Sequence, residues 1–169
     1  DPGSAQQPAQ GPVIPLSNAS APGTPDFGPA RHEELESLAV IDRGSPRPWT
    51  LTAFENELGN SPPTVFVLRS GGNAIAFVVT RRHPPELDIV NLAVAEGHRR
   101  RGFGRILLRF LLEMARRDGV DQVFLEVRAG NQAARGLYSS LGFEETQKRR
   151  NFYEDPVEDA ILMKLKIEP

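Results

Sequence analysis

The stretch between Val94 and Ile106 holds the residue types best suited to chemistry with an anion. Gly102 and Gly104 let the backbone turn sharply and come close to a ligand, and the helix that follows aims its unpaired N–H groups at the same place. Pyrophosphate is the natural occupant of such a site, with Arg99, Arg100 and Arg105 adding positive charge. Taken alone, the same residues also fit a glycine turn beside a solvated basic face. Leu107 breaks the G-x-G-x-x-G dinucleotide pattern and no Lys-Ser or Lys-Thr follows, so neither a dinucleotide loop nor a Walker loop is present. There is no cysteine, which excludes disulfides, thiolate zinc sites and a cysteine nucleophile. His32, His83 and His98 lack metal-ligand spacing and read as surface residues.

The elements that must position this loop are legible from periodicity. Leu87 to Val94 reads as the strand leading into it. A strongly periodic helix follows to about Asp118, with Ile106, Leu107, Phe110, Leu111 and Met114 inward and Gly119 as its stop. Gln122 to Val127 is a short buried strand, Asn131 to Leu141 a helix closed by Gly142, and Phe143 to Gln147 and Ala160 to Ile167 are the closing strands. Upstream, Val65 to Leu68 and Ala74 to Thr80 flank the Gly71-Gly72-Asn73 turn as a hairpin. Arg31 to Asp42 carries Leu35, Leu38 and Ile41 at helical spacing, with acidic residues near its start where the helix dipole favours them. Thr50 is a candidate N-cap for a second short helix that places Phe54 and Leu58 on one face. Strand, helix, strand, helix in the middle implies a parallel strand pair joined by a right-handed crossover, hence an α/β or α+β sheet domain.

With 169 residues, 39% apolar and 25% charged, the chain has the composition of one domain able to bury a core. Residues 1–30 hold seven of the fifteen prolines and only two charges, and read as a tail. Within it, Val13, Ile14 and Leu16 could form a short edge strand between prolines. Without those thirty residues, basic and acidic groups balance at 20 each, less basic than a general nucleic-acid binder. No apolar run approaches the roughly 18 residues needed to cross a bilayer.

Several motifs in order resemble one family. Asn91-Leu92-Ala93-Val94, the R-x-x-G-x-G loop, the long helix, Leu125-Glu126-Val127-Arg128-Ala129-Gly130-Asn131 and Gly136-Leu137-Tyr138-Ser139-Ser140-Leu141-Gly142-Phe143 look like the core of the GNAT acetyltransferases. Pro48-Trp49-Thr50, Arg149-Arg150-Asn151-Phe152-Tyr153 and Glu158 to Met163 are similar to the RimI-type branch, which acetylates protein α-amines. The resemblance spans about residues 31–167, and it departs from the family at the start, where proline obscures the usual first strand.

The resemblance implies a GNAT fold of α/β (α+β) class over residues 31–169, with a mixed sheet of about six to seven strands, a splayed central parallel pair and about four helices. Acetyl-CoA would be the co-substrate, with no metal. Leu92, Ala93 and Val94 would offer backbone groups to pantetheine and the acetyl oxygen. Arg99, Arg100, Arg101, Gly102, Phe103, Gly104 and Arg105 would hold the pyrophosphate, and Asn131 matches a position whose side chain reaches the cofactor. Glu126 matches the base and Tyr138 the acid, although singly they fit a carboxylate paired with an arginine and a core aromatic. Trp49 reads by itself as a packing residue, but its segment borders the family's substrate groove, and with Arg150 and Tyr153 it is expected to contact the acceptor. The partner implied is the N-terminal peptide of a ribosomal protein in the cytoplasm, with no direct nucleic-acid or membrane contact. Glu154, Asp155, Glu158 and Asp159 could hold a basic peptide tail, although by themselves they also fit a solvated acidic face. A small-molecule amine or a lysine side chain is the alternative acceptor.

Overall fold

The computed structural model describes residues 24–169, so the edge strand considered over Val13, Ile14 and Leu16 lies outside the described residues. In chain order the elements are β1 (Asp26–Pro29), α1 (Leu35–Asp42), α2 (Leu51–Leu58), β2 (Val65–Ser70), β3 (Asn73–His83), β4 (Glu86–Val94), α3 (Phe103–Arg117), β5 (Gln122–Arg128), α4 (Gln132–Ser140), β6 (Glu144–Tyr153) and β7 (Glu158–Lys166). The strands form one seven-stranded sheet in the order β1-β2-β3-β4-β5-β7-β6. Among the described residues only β4 and β5 run parallel, joined across α3, and every other pairing is antiparallel. This is the mixed GNAT architecture that the motifs imply.

Each face of the sheet buries a separate apolar cluster. Leu107, Leu108, Leu111 and Ala115 of α3 pack with Leu87, Ile89, Val123, Leu125 and Val127 on one face. Leu35, Leu38 and Ile41 of α1 and Phe54 of α2 pack with Val65, Val67, Phe77 and Val79 on the other. The α3 stripe is rotated from the expected one: Leu108 and Ala115 are buried, while Ile106, Phe110 and Met114 are only partly so. Apolar residues cover more than half the turn of this helix, so contact with the sheet decides which of them go inside. In α2, Thr50 caps as expected, accepting from the Ala53 N–H at 3.1 Å. Glu57, rather than Leu58, takes the buried position, because Arg81 pairs with its carboxylate and Thr64 donates to it at 2.8 Å.

The sheet begins inside the stretch read as tail. Phe27 of β1 is 3% exposed, its ring stacked between Phe66 at 5.6 Å and Phe110 at 5.4 Å. Pro29 ends an edge strand, where a missing N–H costs no ladder bond. Arg69 fastens this edge, donating to Glu34 at 2.7 Å, to the Pro29 carbonyl at 2.9 Å and to Asp26 at 3.2 Å. A composition averaged over thirty residues hides four that carry one well-placed aromatic ring.

Candidate active site

Two departures from regular strand geometry open the sheet at its centre. The parallel ladder between β4 and β5 runs only from Glu86–Gln122 to Ile89–Leu125, and beyond it the two strands diverge. The β3–β4 ladder shifts register there, since Val79 pairs with Asn91 and Thr80 with Ile89, which leaves Val90 as an extra residue. An inserted residue reverses which face the following side chains occupy. Leu87 and Ile89 accordingly pack toward α3, and so do Leu92 and Val94, while Ala93 joins the α1–α2 cluster. The gap leaves the β5-facing edge of Leu92–Val94 without a strand partner, as a slot for an extended ligand arm requires.

One end of that slot is the loop before α3. Arg100 and Gly102 adopt φ values of 61° and 83°, the left-handed region where glycine is at ease and arginine is not. No side chain caps Gly102, and the first turn of α3 therefore presents free N–H groups to an anion. Arg100, Arg101 and Arg105 have no carboxylate partner among the described residues, and Arg101 lies over the Phe103 ring at 5.5 Å. Arg99 points elsewhere than expected: its Nε donates to the Val94 carbonyl at 3.0 Å, with its guanidinium beside Gly44. Gly104 sits where α3 meets its neighbours; a Cβ there would lie 3.3 Å from Leu137 and 3.7 Å from Val94.

At the slot's other side, a cavity of about 230 Å³ is lined by Asn91, Leu92, Glu126, Asn131, Tyr138 and Tyr153, with Ser45, Pro46 and Arg47 as its outer wall. It adjoins a groove of about 510 Å³ over the sheet face left bare by the helices, floored by Val90, Phe124 and Leu162 and bordered by Glu86, Asp88 and Arg149. Glu126 lines both, on the outward side of β5, and accepts from Arg149 Nη1 at 3.1 Å. The arginine pairing that this carboxylate fits by itself is therefore present, and it leaves the group in a solvent-reachable cavity. Tyr138 is 8% exposed, packed against Phe143, and burial pushes its hydroxyl up to about 12, with Tyr153 adding to the shift. Burial also raises Tyr153, helped by Glu126 and Glu158 and opposed by Arg128, whose guanidinium lies 4.2 Å from its ring centre.

Asn131 sits in the same cavity but its oxygen is engaged, capping α4 by accepting from the Ala134 N–H at 3.1 Å. Two expected acceptor contacts are not among the lining residues. Trp49 packs on Phe54 at 5.3 Å within the α1–α2 cluster, and Arg150 is exposed outside both cavities. Arg149 and the Ser45–Arg47 segment line the two cavities instead. No local sequence signal separates Arg149 from Arg150; the register shift between Glu145 and Gln147, which leaves Thr146 as an extra residue, puts Arg149 rather than Arg150 on the face of Leu162 and Glu126. Two of the four acids expected to hold a basic peptide are engaged within the fold, and a third makes an exposed ion pair. Glu158 accepts from the Gly130 N–H and faces Arg128, Asp159 accepts from the Asn151 N–H and faces Lys148, and Glu154 lies 3.6 Å from Arg47. Among the described residues no group of three or more His, Asp or Glu is placed to hold a metal ion, and no helix is long and apolar enough to cross a membrane.

Residues 30–143 match the acetyltransferase (GNAT) family. The chain is 37% identical over 154 residues to the ribosomal protein bS18-alanine N-acetyltransferase of Escherichia coli, covering 90% of this chain and 99% of that protein. It is 42% identical over 139 residues to the N-alpha-acetyltransferase RimI of Mycobacterium tuberculosis, covering 79% of this chain and 84% of the relative. The fold superposes on the crystal structure of the ribosomal-protein-S18-alanine N-acetyltransferase from Escherichia coli with a TM-score of 0.78 at 34% identity, over 86% of this chain and 96% of that one.

Proposed function

The chain belongs to the GNAT family of acetyltransferases and is an N-acetyltransferase of RimI type, and from this we propose that it acetylates the N-terminal α-amine of a ribosomal protein beginning with alanine. The observation that carries the reading is one cavity, at the mouth of the splayed strands, lined by a solvent-reachable carboxylate and a buried phenol, Glu126 and Tyr138. The open N–H groups before α3 and the free Arg100, Arg101 and Arg105 fit a pyrophosphate, and the slot beside Leu92–Val94 fits an extended arm. Acetyl-CoA, held there, supplies the acetyl group, and CoA leaves as the thiol.

Glu126 takes a proton from the incoming ammonium, directly or through water, and Arg149 holds its carboxylate in the cavity wall. A backbone N–H of the unpartnered β4 edge faces the charge that develops on the acetyl oxygen. Attack of the amine nitrogen on the thioester carbon forms the amide C–N bond. As the C–S bond breaks, Tyr138, still protonated far above neutral pH, delivers its hydroxyl proton to the departing sulfur and regains one from the amine nitrogen, directly or through water, while the proton on Glu126 passes to solvent. A single carboxylate as base favours an α-amine. One with a pKa near 8 needs about 1 kcal/mol to deprotonate at pH 7, whereas a lysine needs about 4.6 kcal/mol.

Peptides of one sequence test the acceptor class, presenting either a free alanine α-amine or a blocked terminus with an internal lysine, with spermidine as a third acceptor. The α-amine peptide should be acetylated with the highest kcat/KM. Preference for the lysine peptide or for spermidine would overturn the acceptor assignment and leave family membership intact.

A further inference from the structure

Asp42 is 0% exposed, the most deeply buried carboxylate among the described residues, and the proton transfers above do not use it. It ends α1, where the helix dipole disfavours a negative charge, so its burial depends on the donors around it. There are three. The Ser45 hydroxyl donates to one oxygen at 2.6 Å; the Trp49 N–H at 2.7 Å and the Asn91 side-chain amide at 3.1 Å share the other. An oxygen that already accepts a backbone N–H can face only another donor, so Asn91 has to turn its NH2 group toward Asp42.

The consequence falls on the other end of that amide. With its nitrogen committed, the Asn91 side-chain oxygen is turned away from Asp42, and no described residue donates to it. Asn91 is partly exposed and lines the cavity that also holds Glu126 and Tyr138. The extra residue Val90 lies immediately before Asn91, the residue paired with Val79 on the far side of the bulge.

We propose that Asn91 binds the acceptor, its side-chain oxygen receiving an N–H of the incoming amine, and that Asp42 is the positioning residue that sets the orientation of that amide. The proposal rests on the acetyl-transfer reading and adds a substrate contact to it. An amide oxygen can accept from the ammonium, most strongly, and still from the neutral amine, and it does not compete for the proton. It can therefore hold the nucleophile in place while Glu126 deprotonates it.

Steady-state kinetics with an alanine-terminated peptide test this, alongside calorimetry with acetyl-CoA. Asn91→Ala should raise the peptide KM by about 10-fold or more, the usual worth of a hydrogen bond to a charged group, with acetyl-CoA affinity within about 2-fold of the parent. Asp42→Leu should raise the peptide KM similarly. Asp42→Asn should recover most of that loss, because its oxygen can face Trp49 and Asn91 while its NH2 donates to the Ser45 hydroxyl. If Asp42→Leu does not fold, Asn91→Ala and Asp42→Asn still decide, since neither removes the acceptor for the Trp49 N–H. A peptide KM unchanged in Asn91→Ala overturns the proposal, and so does a parallel fall in acetyl-CoA affinity. A parent enzyme that acetylates no α-amine peptide overturns the α-amine acceptor reading itself, which separates the two failures.

Discussion

Glu126 and Tyr138 come from different elements and sit in environments of opposite character. The carboxylate lies in an open cavity beside Arg149, and the phenol is sealed against Phe143. If Glu126 is the base proposed, exchanging it for Gln should lower turnover at pH 7 by about 10²-fold or more, with less loss at high pH where the amine is already neutral. A stopped assay across pH checks this, and near-normal turnover at pH 7 would remove Glu126 from the role. Tyr138→Phe should slow departure of the thiolate. Its raised pKa also has a stability consequence. The folded state holds the proton to about 12 and the unfolded chain only to about 10. The stabilisation is complete below pH 10 and is lost as pH rises through 12, a decline of about 3 kcal/mol at most. Denaturant unfolding from pH 9 to pH 12 should show this decline in the parent and a shallower one in Tyr138→Phe.

The elements matter through their irregularities. Regular pairing of β4 would close the sheet; the extra residue at Val90 and the early end of the parallel ladder open it. The loop before α3 is tied to this slot through Gly104, which faces both Leu137 of α4 and Val94 of β4. Gly104→Val adds a branched side chain where even a Cβ lies 3.3 Å from Leu137, so it should push α4 away or twist the start of α3. Acetyl-CoA affinity measured by calorimetry should fall strongly in this variant. A folded protein that binds as tightly as the parent would detach the loop from the cofactor site.

Across the molecule, the sheet edge matters more than its length suggests. β1 is four residues long, yet Phe27 bridges β2 and α3, and Asp26 and Pro29 complete the surroundings of Arg69. Two truncations separate its contribution from that of the residues before it. Removing residues 1–23 should leave the melting temperature close to that of the full chain, since so proline-rich a composition offers little apolar surface to bury. Removing residues 1–29 also deletes Phe27, a loss of about 3 kcal/mol, and should lower the melting temperature on the order of 10 °C. Equal melting temperatures for the two truncations would mean that β1 adds nothing to the fold.

Local rules were enough to place most of the elements. Gly71-Gly72 set the hairpin, Thr50 and Asn131 capped their helices, and Gly142, with a φ of 99°, ended α4. The ordered motifs from Asn91 to Phe143 made the family legible, and with it the fold and the Glu126 and Tyr138 candidates. These features depend on a few neighbouring residues, and periodicity and turn chemistry report on them directly. Tertiary structure alone decided that Arg149 rather than Arg150 meets Glu126, that Trp49 packs inward while Ser45 to Arg47 form the cavity wall, and that Arg99 turns back to Val94. It also decided that Asp42 fixes Asn91 across 49 positions of chain. Such contacts depend on register shifts in β4 and β6 and on which strands become neighbours, and a one-residue change in register reverses every side chain beyond it.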